Sequence, residues 1–285
     1  MPISITRDQL RSSSLPMTLD FKDRVILVNG VARGGIGGAT VRALAALGAH
    51  VACVDRTKEV LDETLDDIRH HESRAIGIVA DLLDPTQTDA IIPRVVEEFG
   101  RLDGVVNVAG GTRQGEWRPL ELTEVDGFRD TINLNLEYAF RICRDAARSM
   151  IARGKPAPMV NISSVSGLNS APFHGPYGAA KSGLIALTRT MAFEWAKYGI
   201  RVNVVSPGAV PSERVIAKNL SPDAFKQEGA INDVVPTTVD ELAGAIVFLL
   251  SDPASGISGH NLVVDSGITT RNAVLAVRMD AVKAN

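Results

Sequence analysis

RVILVNGVARGGIGGATVRALAALG, residues 24–48, is the stretch that decides the fold class. Val25 to Val28 form a short apolar run ending in Asn29–Gly30, which reads as a buried strand. A glycine-rich turn from Gly30 to Gly37 opens directly into ATVRALAALGA, an amphipathic helix stopped by Gly48. The unit then repeats. HVACVDR (50–56), AIGIVADLL (75–83), LDGVVNVAGG (102–111), PMVNISS (158–164), IRVNVVSPG (200–208) and HNLVVDSG (260–267) read as strands. Between them lie helical patterns at 58–72, at 85–100, in a long helix around Asp126–Arg153, in the helix carrying Tyr177, and at 239–252. Parallel strands need crossovers, and the crossover helices bury the sheet. The expectation is a doubly wound α/β fold: a parallel sheet of about seven strands with helices on both faces, the Rossmann arrangement.

With 285 residues, 45% of them hydrophobic, the chain can bury one large core. No repeat or linker divides it, so a single domain is expected over 21–285. Residues 1–20 are polar and unpatterned and read as an N-terminal arm. The net charge of −3 gives no basic footprint for nucleic acid or a membrane surface. Cys53 and Cys143 form no disulfide framework and the five histidines no ligand set, so no metal site is expected. The longest apolar run, AGAIVFLL, is far short of the roughly 18 residues a membrane span needs. The first twenty residues lack the apolar core of a signal peptide, and a cytoplasmic protein is expected.

Three features point to chemistry. Glycines between a strand and a helix let backbone approach a diphosphate, whose charge the helix N-terminus favours. The next strand ends at Asp55, eighteen residues beyond Gly37, where a carboxylate would bond the adenosine ribose hydroxyls and repel a 2′-phosphate. NAD is therefore preferred over NADP, although Arg33 and Arg56 stand near the same corner. Tyr177 and Lys181, four apart, share one helix face. A free tyrosine titrates near about 10 and is a poor base, but a lysine charge close by favours the phenolate. Tyr177 is thus a candidate general acid/base, and the Ser164 hydroxyl, thirteen residues upstream, could bond the oxygen of an alcohol or ketone. Taken singly, the loop is also a tight turn and the Tyr–Lys pair an ordinary surface pair.

In order and spacing these motifs resemble the short-chain dehydrogenase/reductase family over nearly all of residues 20–268. Gly30, Gly35 and Gly37, with Arg33 and Ile36 between them, are similar to its cofactor loop. Asp81, with Leu82, stands at the position that contacts adenine. Asn107, Ala109 and Gly110 are similar to the Asn-Asn-Ala-Gly motif that ends the fourth strand, and Asn135, Ser164, Tyr177 and Lys181 match the catalytic tetrad. Pro207, Gly208, Val210 and Ser212 resemble the segment that holds the nicotinamide carboxamide. The resemblance implies NAD(P)-dependent oxidoreduction of CH–OH groups. Tyr177 would take the proton, its acidity raised by Lys181 and by the positive nicotinamide. Lys181 would also hold the nicotinamide ribose, Ser164 would orient the substrate oxygen, and Asn135 would anchor a water leading out from Lys181.

Departures from the pattern are visible too. Asn29 replaces the usual Thr, and four residues rather than three separate Gly30 from Gly35. Val108 replaces an Asn, Ser212 a Thr, and Asp265–Ser266–Gly267 stands for Asp-Gly-Gly.

The substrate pocket is expected from the loop after Gly111, from Leu168 to His174, and from a lid at about 209–235. Arg113, His174 and Arg214 could recognise a carboxylate, or the arginines could be solvated loop residues. A cyclic alcohol or diol is the suggested substrate. Trp117 and Phe173 could stack on a ring or pack the loops. Arg141, Arg144 and Arg148 read as a solvated or subunit-facing stripe. Small residues along the Tyr177 helix (Ala179, Ala180, Gly183, Ala186) permit close packing, and a homotetramer is expected, with a homodimer next. An NADP-dependent ketone reductase and a non-catalytic cofactor-binding sensor or scaffold are the alternatives.

Overall fold

The computed structural model describes residues 19–112, 117–211 and 236–270. The expected N-terminal arm, apart from its last two residues, and the expected lid beyond Pro211 lie outside the described residues.

Seven strands form one parallel sheet in the order β3-β2-β1-β4-β5-β6-β7. They are β1 (Val25–Asn29), β2 (His50–Asp55), β3 (Ala75–Val79), β4 (Gly104–Asn107), β5 (Met159–Ile162), β6 (Val202–Pro207) and β7 (Asn261–Val264). The helices between them are α1 (Ile36–Ala46), α2 (Lys58–Ile68), α3 (Pro85–Phe99), α4 (Val125–Ile132), α5 (Tyr138–Arg153), α6 (Gly175–Trp195) and α7 (Val239–Leu250). This is the doubly wound sheet that the sequence pattern predicts. Alternate strand residues feed two separate cores, as side chains of period two require. Val25, Leu27, Val54 and Met159 pack under α3, α5 and α6, while Ile26, Val28, Val51 and Val160 pack under α1, α2 and α7. Each fully buried Leu or Ile contributes roughly 1.5–3 kcal/mol, so both faces matter.

Local chemistry sets the helix ends. Thr57 caps α2, Asp84 and Pro85 start α3, and Gly100 in the left-handed region ends it. Thr238 and Glu241 form a capping box on α7. No described helix is long and apolar enough to cross a membrane.

One prediction is refined. The long helix around Asp126–Arg153 is α4 and α5 joined by a π-helical turn over Asn133–Glu137. Such a turn inserts one residue into the helical register, and it sits on Asn135.

A polar ladder crosses the sheet at its carboxyl end. Asn29 Nδ2 donates to Asn107 Oδ1 (2.8 Å), Asn107 Nδ2 to Asn161 Oδ1 (2.8 Å), and Asn161 Nδ2 to Thr188 Oγ1 on α6 (3.0 Å). All four residues are buried. The ladder ties β1, β4 and β5 to α6, and Asn29 here takes a structural part in place of the usual Thr. Replacing Asn161 with Leu strands the Asn107 amide and the Thr188 hydroxyl. Unfolding in urea should then show a loss of about 2–4 kcal/mol, since each orphaned buried group costs about 1–3 kcal/mol. An unchanged midpoint would show that the ladder does not hold the sheet together.

Candidate active site

Strand order reverses between β1 and β4, and a crevice opens there at the carboxyl ends of the strands. The backbones on its two sides touch. A Cβ on Gly30, whose φ is +84°, would lie 2.6 Å from Ala109 N and Cα. One on Gly37 would lie 1.9 Å from Gly30 O, and one on Gly38 2.5 Å from Arg33 O. Gly35 is less confined, its nearest atom being Ala32 O at 3.2 Å. The sequence reading did not single out Gly38, whose only signal was its place in the GGIGG run. Within the loop, Gly35 N donates to Ala32 O (2.9 Å), closing a turn. Gly35 is the N-cap of α1 and supplies no side-chain cap, so the first amides of that helix keep their donor capacity. A cradle closed to a Cβ at Gly30, Gly37 and Gly38, ahead of an uncapped helix start, fits a diphosphate.

Beside the cradle, Asp55 Oδ2 accepts from Val31 N (2.9 Å) and Oδ1 from Arg56 N (2.8 Å). The carboxylate is therefore fastened to the glycine loop. The Arg33 guanidinium is turned onto Asp67, with Nη2 2.8 Å from Oδ1 and Nε 3.0 Å from Oδ2. Arg42 pairs with the same carboxylate at 3.6 Å. Asp81, just past β3 with Leu82, accepts from Leu83 N at Oδ1 (3.0 Å). On the far side, Gly208 N donates to Val264 O, and a Cβ on Gly208 would meet Asp265 Cα at 2.9 Å. Pro207 ends β6, Val210 packs against the core, and Ser212 lies outside the described residues. Ser266, where a glycine is usual, takes the left-handed conformation with φ +55°, its hydroxyl 3.2 Å from that of Thr237.

The four tetrad positions come together where α6 crosses the ends of β4 and β5. Lys181 is 2% exposed; its Nζ donates to Ile162 O (2.8 Å) and lies 5.5 Å from the centre of the Tyr177 ring. Ser163 Oγ donates to Lys181 O (2.9 Å), pinning the same turn of α6. Ser164 accepts from Ser166 N (3.1 Å), and its side chain acts on the Tyr177 phenol, holding it lower than burial alone would. Asn135 is fully buried: Oδ1 accepts from Gly111 N (2.8 Å), and Nδ2 donates to Gly111 O and Thr131 O (both 2.9 Å). A Cβ on Gly110 would lie 2.6 Å from Asn135 Oδ1 and 3.1 Å from Lys181 Nζ, so these two groups meet over a glycine. Tyr138, not singled out in the sequence, fixes this bend by donating its hydroxyl to Ala109 O (2.7 Å).

The expected electrostatics need correcting. Burial raises the Tyr177 phenol above its ordinary value, opposed by the Ser164 hydrogen bond. Burial also pushes Lys181 down to about 7. Desolvation thus sets the direction of both shifts, and not the ammonium–phenolate attraction expected from spacing alone, because both groups lose water in the same pocket. Burial drives both Cys53 and Cys143 up to about 12, leaving them as inert thiols.

Three aromatic rings stack at the mouth. Trp117 and His174 lie 4.2 Å apart between centroids, and His174 and Tyr177 4.4 Å apart with planes 8° from parallel. Burial pushes His174 down to about 4, so it brings no positive charge to a carboxylate at neutral pH. Arg113 and Arg214, its expected partners, lie outside the described residues. Arg141 and Arg144 both pair with Asp89, and Arg144 and Arg148 with Asp145, so the expected basic stripe is neutralised. Among the described residues no group of three or more His, Cys, Asp or Glu could hold a metal ion.

Residues 30–269 match a family model described as enoyl-(acyl carrier protein) reductase. Levodione reductase of Leifsonia aquatica is 33% identical over 267 residues, covering 90% of this chain and 98% of that protein. The 2,5-dichloro-2,5-cyclohexadiene-1,4-diol dehydrogenase of Sphingobium indicum is 33% identical over 254 residues, covering 88% of this chain and 98% of that one. The crystal structure of NAD+-bound xylitol dehydrogenase is similar with a TM-score of 0.77 at 29% identity, over 87% of this chain and 99% of that one.

Two outcomes test this geometry. Gly110→Ala should displace Asn135 or Lys181 and cut turnover by about 100-fold or more, as misplacement of about 1 Å can; steady-state assay with a melting curve checks it. Then the pH dependence of stability: unfolded His174 titrates near the free value of 6.5 and the folded residue near 4. Between those values the unfolded chain binds more protons, so its share of stability is complete above 6.5 and is lost as pH falls toward 4. Urea titrations from pH 7 to 4 should show a shallower fall for His174→Phe than for the parent.

Proposed function

The chain belongs to the short-chain dehydrogenase/reductase family and is an oxidoreductase acting on CH–OH groups, and from that premise we propose an NAD-dependent dehydrogenase of secondary alcohols, cyclic alcohols and diols among them, with Tyr177 as general acid/base. The observation that carries this reading is the meeting of Tyr177, Ser164, Lys181 and Asn135 beside the glycine cradle. Family membership sets aside the scaffold alternative.

A nicotinamide dinucleotide, its diphosphate held by the loop of Gly30, Gly35 and Gly37, its adenosine ribose by Asp55 and its nicotinamide ribose by Lys181, would supply the hydride acceptor. The chain's own residues handle the proton. Oxidation needs the alcohol O–H proton removed as the carbonyl forms, and Tyr177 Oη is the base that takes it. The Ser164 hydroxyl donates to the substrate oxygen and stabilises charge developing there. Lys181, titrating near 7, can hold or release a proton at neutral pH. It therefore offsets charge on Tyr177 and passes protons toward the side where Asn135 is fixed.

Asp55 favours NAD, since its carboxylate is fastened at the edge of the loop and would repel a 2′-phosphate. Arg33, one of the two cations expected to read such a phosphate, is paired with Asp67, which weakens the NADP-dependent reductase alternative. The wording of the relatives' names supports diols and carbonyl partners. A cytoplasmic homotetramer, or a homodimer, completes the reading. The two unpaired buried cysteines support the first point, and the exposed Phe140 on α5 and Phe193 on α6 support subunit contacts.

Tyr177→Phe should keep NADH affinity within about threefold and reduce kcat by about 1,000-fold or more, the upper part of what one acid/base group contributes. Fluorescence titration and steady-state kinetics check it, and substantial turnover would remove Tyr177 from its role. Titration with the reduced cofactors should favour NADH over NADPH by about tenfold or more, roughly 1.4 kcal/mol. Tighter NADPH binding would give the ketone-reductase reading precedence.

A further inference from the structure

The loop that leaves β4 is gripped at both ends by side chains from the helix crossing it. At Gly111, Asn135 accepts from the amide (2.8 Å) and donates to the carbonyl (2.9 Å). At Ala109, the carbonyl accepts from the Tyr138 hydroxyl at 2.7 Å. The amides of Val108 and Ala109 both donate to Asn29 O, at 3.0 and 2.9 Å. Ala109 is thus tied to β1 through its nitrogen and to the first residue of α5 through its oxygen. Gly110 and Gly111, with φ of +151° and +117°, complete the turn on a path that favours glycine.

Packing alone does not explain the Tyr138 hydroxyl. The residue is 2% exposed, within the core under α3, α5 and α6. A phenylalanine would fill nearly the same space without bringing an O–H out of water, which costs free energy unless the group is bonded. The Ala109 bond offsets that cost, and Ala109 stands at a junction. A Cβ on Gly30 would lie 2.6 Å from Ala109 N and Cα, so this residue is the wall against which the cofactor cradle closes. Gly110, joined to the carbonyl that Tyr138 holds, meets Asn135 Oδ1 and Lys181 Nζ. A peptide turned by freeing that carbonyl therefore moves the cradle wall and the tetrad together. The expected substrate wall at Leu168 to His174 is anchored elsewhere. Just before it, Gly167 O accepts from Ser182 Oγ on α6 (2.8 Å), and a Cβ on Gly178 would lie 2.7 Å from that of Ala171.

We propose that Tyr138 is a positioning residue whose hydroxyl, through the Ala109 carbonyl, sets the β4 loop against both the cofactor cradle and the Lys181 and Asn135 side chains. This rests on the dehydrogenase reading above and adds to it a buried residue that acts through the loop alone.

The test measures kcat, the KM for NAD and the KM for the alcohol, using cyclohexanol and cis-cyclohexane-1,2-diol, in the parent, Tyr138→Phe and Arg24→Gln. NADH titration and a melting curve accompany each. Arg24→Gln removes the pairing with Asp252 at the opposite, amino end of the sheet and reports lost stability alone. Tyr138→Phe should weaken NADH binding by about three- to tenfold, the worth of one hydrogen bond. It should also lower kcat by about tenfold, less than the effect of a full 1 Å misplacement, while the KM for the alcohol stays within about twofold of the parent value. Arg24→Gln should melt earlier with its kinetic constants unchanged. If Tyr138→Phe does not fold, Tyr138→Met, of similar reach and without the hydroxyl, is read by the same split. Unchanged kcat and NADH affinity, whatever the melting temperature, reduce the hydroxyl to packing and overturn the proposal. A rise in KM for the alcohol as large as that for NAD also overturns it, as does the same loss in Arg24→Gln, since general loosening then explains the result. A parent that binds NADH but oxidises neither alcohol removes the secondary-alcohol reading, and NADH affinity in Tyr138→Phe then decides the proposal, an unchanged value overturning it. A parent that binds no NADH removes both.

Discussion

The site depends on how α6 is seated on the end of β5. Lys181 is sunk to 2% exposure with no carboxylate partner, and its ammonium donates to the Ile162 carbonyl, one residue before the serines that follow β5. Ser163 answers by donating to the Lys181 carbonyl. These two bonds run in opposite senses between the same two segments, so they fix both the height and the rotation of α6. Tyr177 lies one turn before Lys181 and Thr188 two turns after it, and each inherits that placement. The Asn161–Thr188 bond repeats the attachment deeper in the sheet. A shift of α6 by one residue would break all three contacts and carry Tyr177 away from Ser164.

The other half of the site is built on close backbone approach rather than on side chains. Reversal of strand order at β1 and β4 brings the loops after them into contact, and only glycine at Gly30 allows Ala109 to come so near. Gly110 makes the same allowance for Asn135 and Lys181. The cofactor cradle and the tetrad are thereby neighbours through the four residues Asn107 to Gly110. Asn107 itself is turned inward, into the ladder and toward Cys143, so its part is to hold the β4 end in register.

What could be read in the sequence was what is local or periodic. Apolar runs alternating with amphipathic helices marked all seven strands, because two-sided burial leaves a continuous apolar signature in the inner five and the edge strands β3 and β7 are apolar as well. Tyr177 and Lys181 were legible from helical spacing, and Gly30 and Gly37 from their place in the first turn. The π-helical turn at Asn135 was not, since one inserted residue barely alters a hydrophobic pattern that is read over many turns. Gly38 was missed because its constraint, the Arg33 carbonyl, appears only once the loop is folded. The Asn29–Asn107–Asn161–Thr188 ladder and the Trp117–His174–Tyr177 stack join residues far apart in the chain, and no local pattern encodes such contacts. The direction of the Tyr177 shift was misjudged for a similar reason: spacing reveals a neighbouring charge, but desolvation is a property of the finished pocket.

Burying Lys181 this way costs stability, and the sign of that cost follows from its titration. Folded Lys181 titrates near 7 and a free lysine near 10.5. Between those values the unfolded chain binds the extra proton, so the fold is under its full penalty below 7 and regains stability as pH rises toward 10.5. A methionine of similar length would avoid the penalty, yet it could neither bond the Ile162 carbonyl nor exchange a proton near neutrality. The same trade holds at His174, where strain and an unpaired nitrogen are kept beside the reacting group. Both of these groups lie about one turn from Tyr177 along α6, and in the polar ladder at the sheet end only Asn29 Oδ1 is left without a partner among the described residues. Lys181 and His174 thus place local cost beside the phenol, where a dehydrogenase needs groups that ordinary packing would remove.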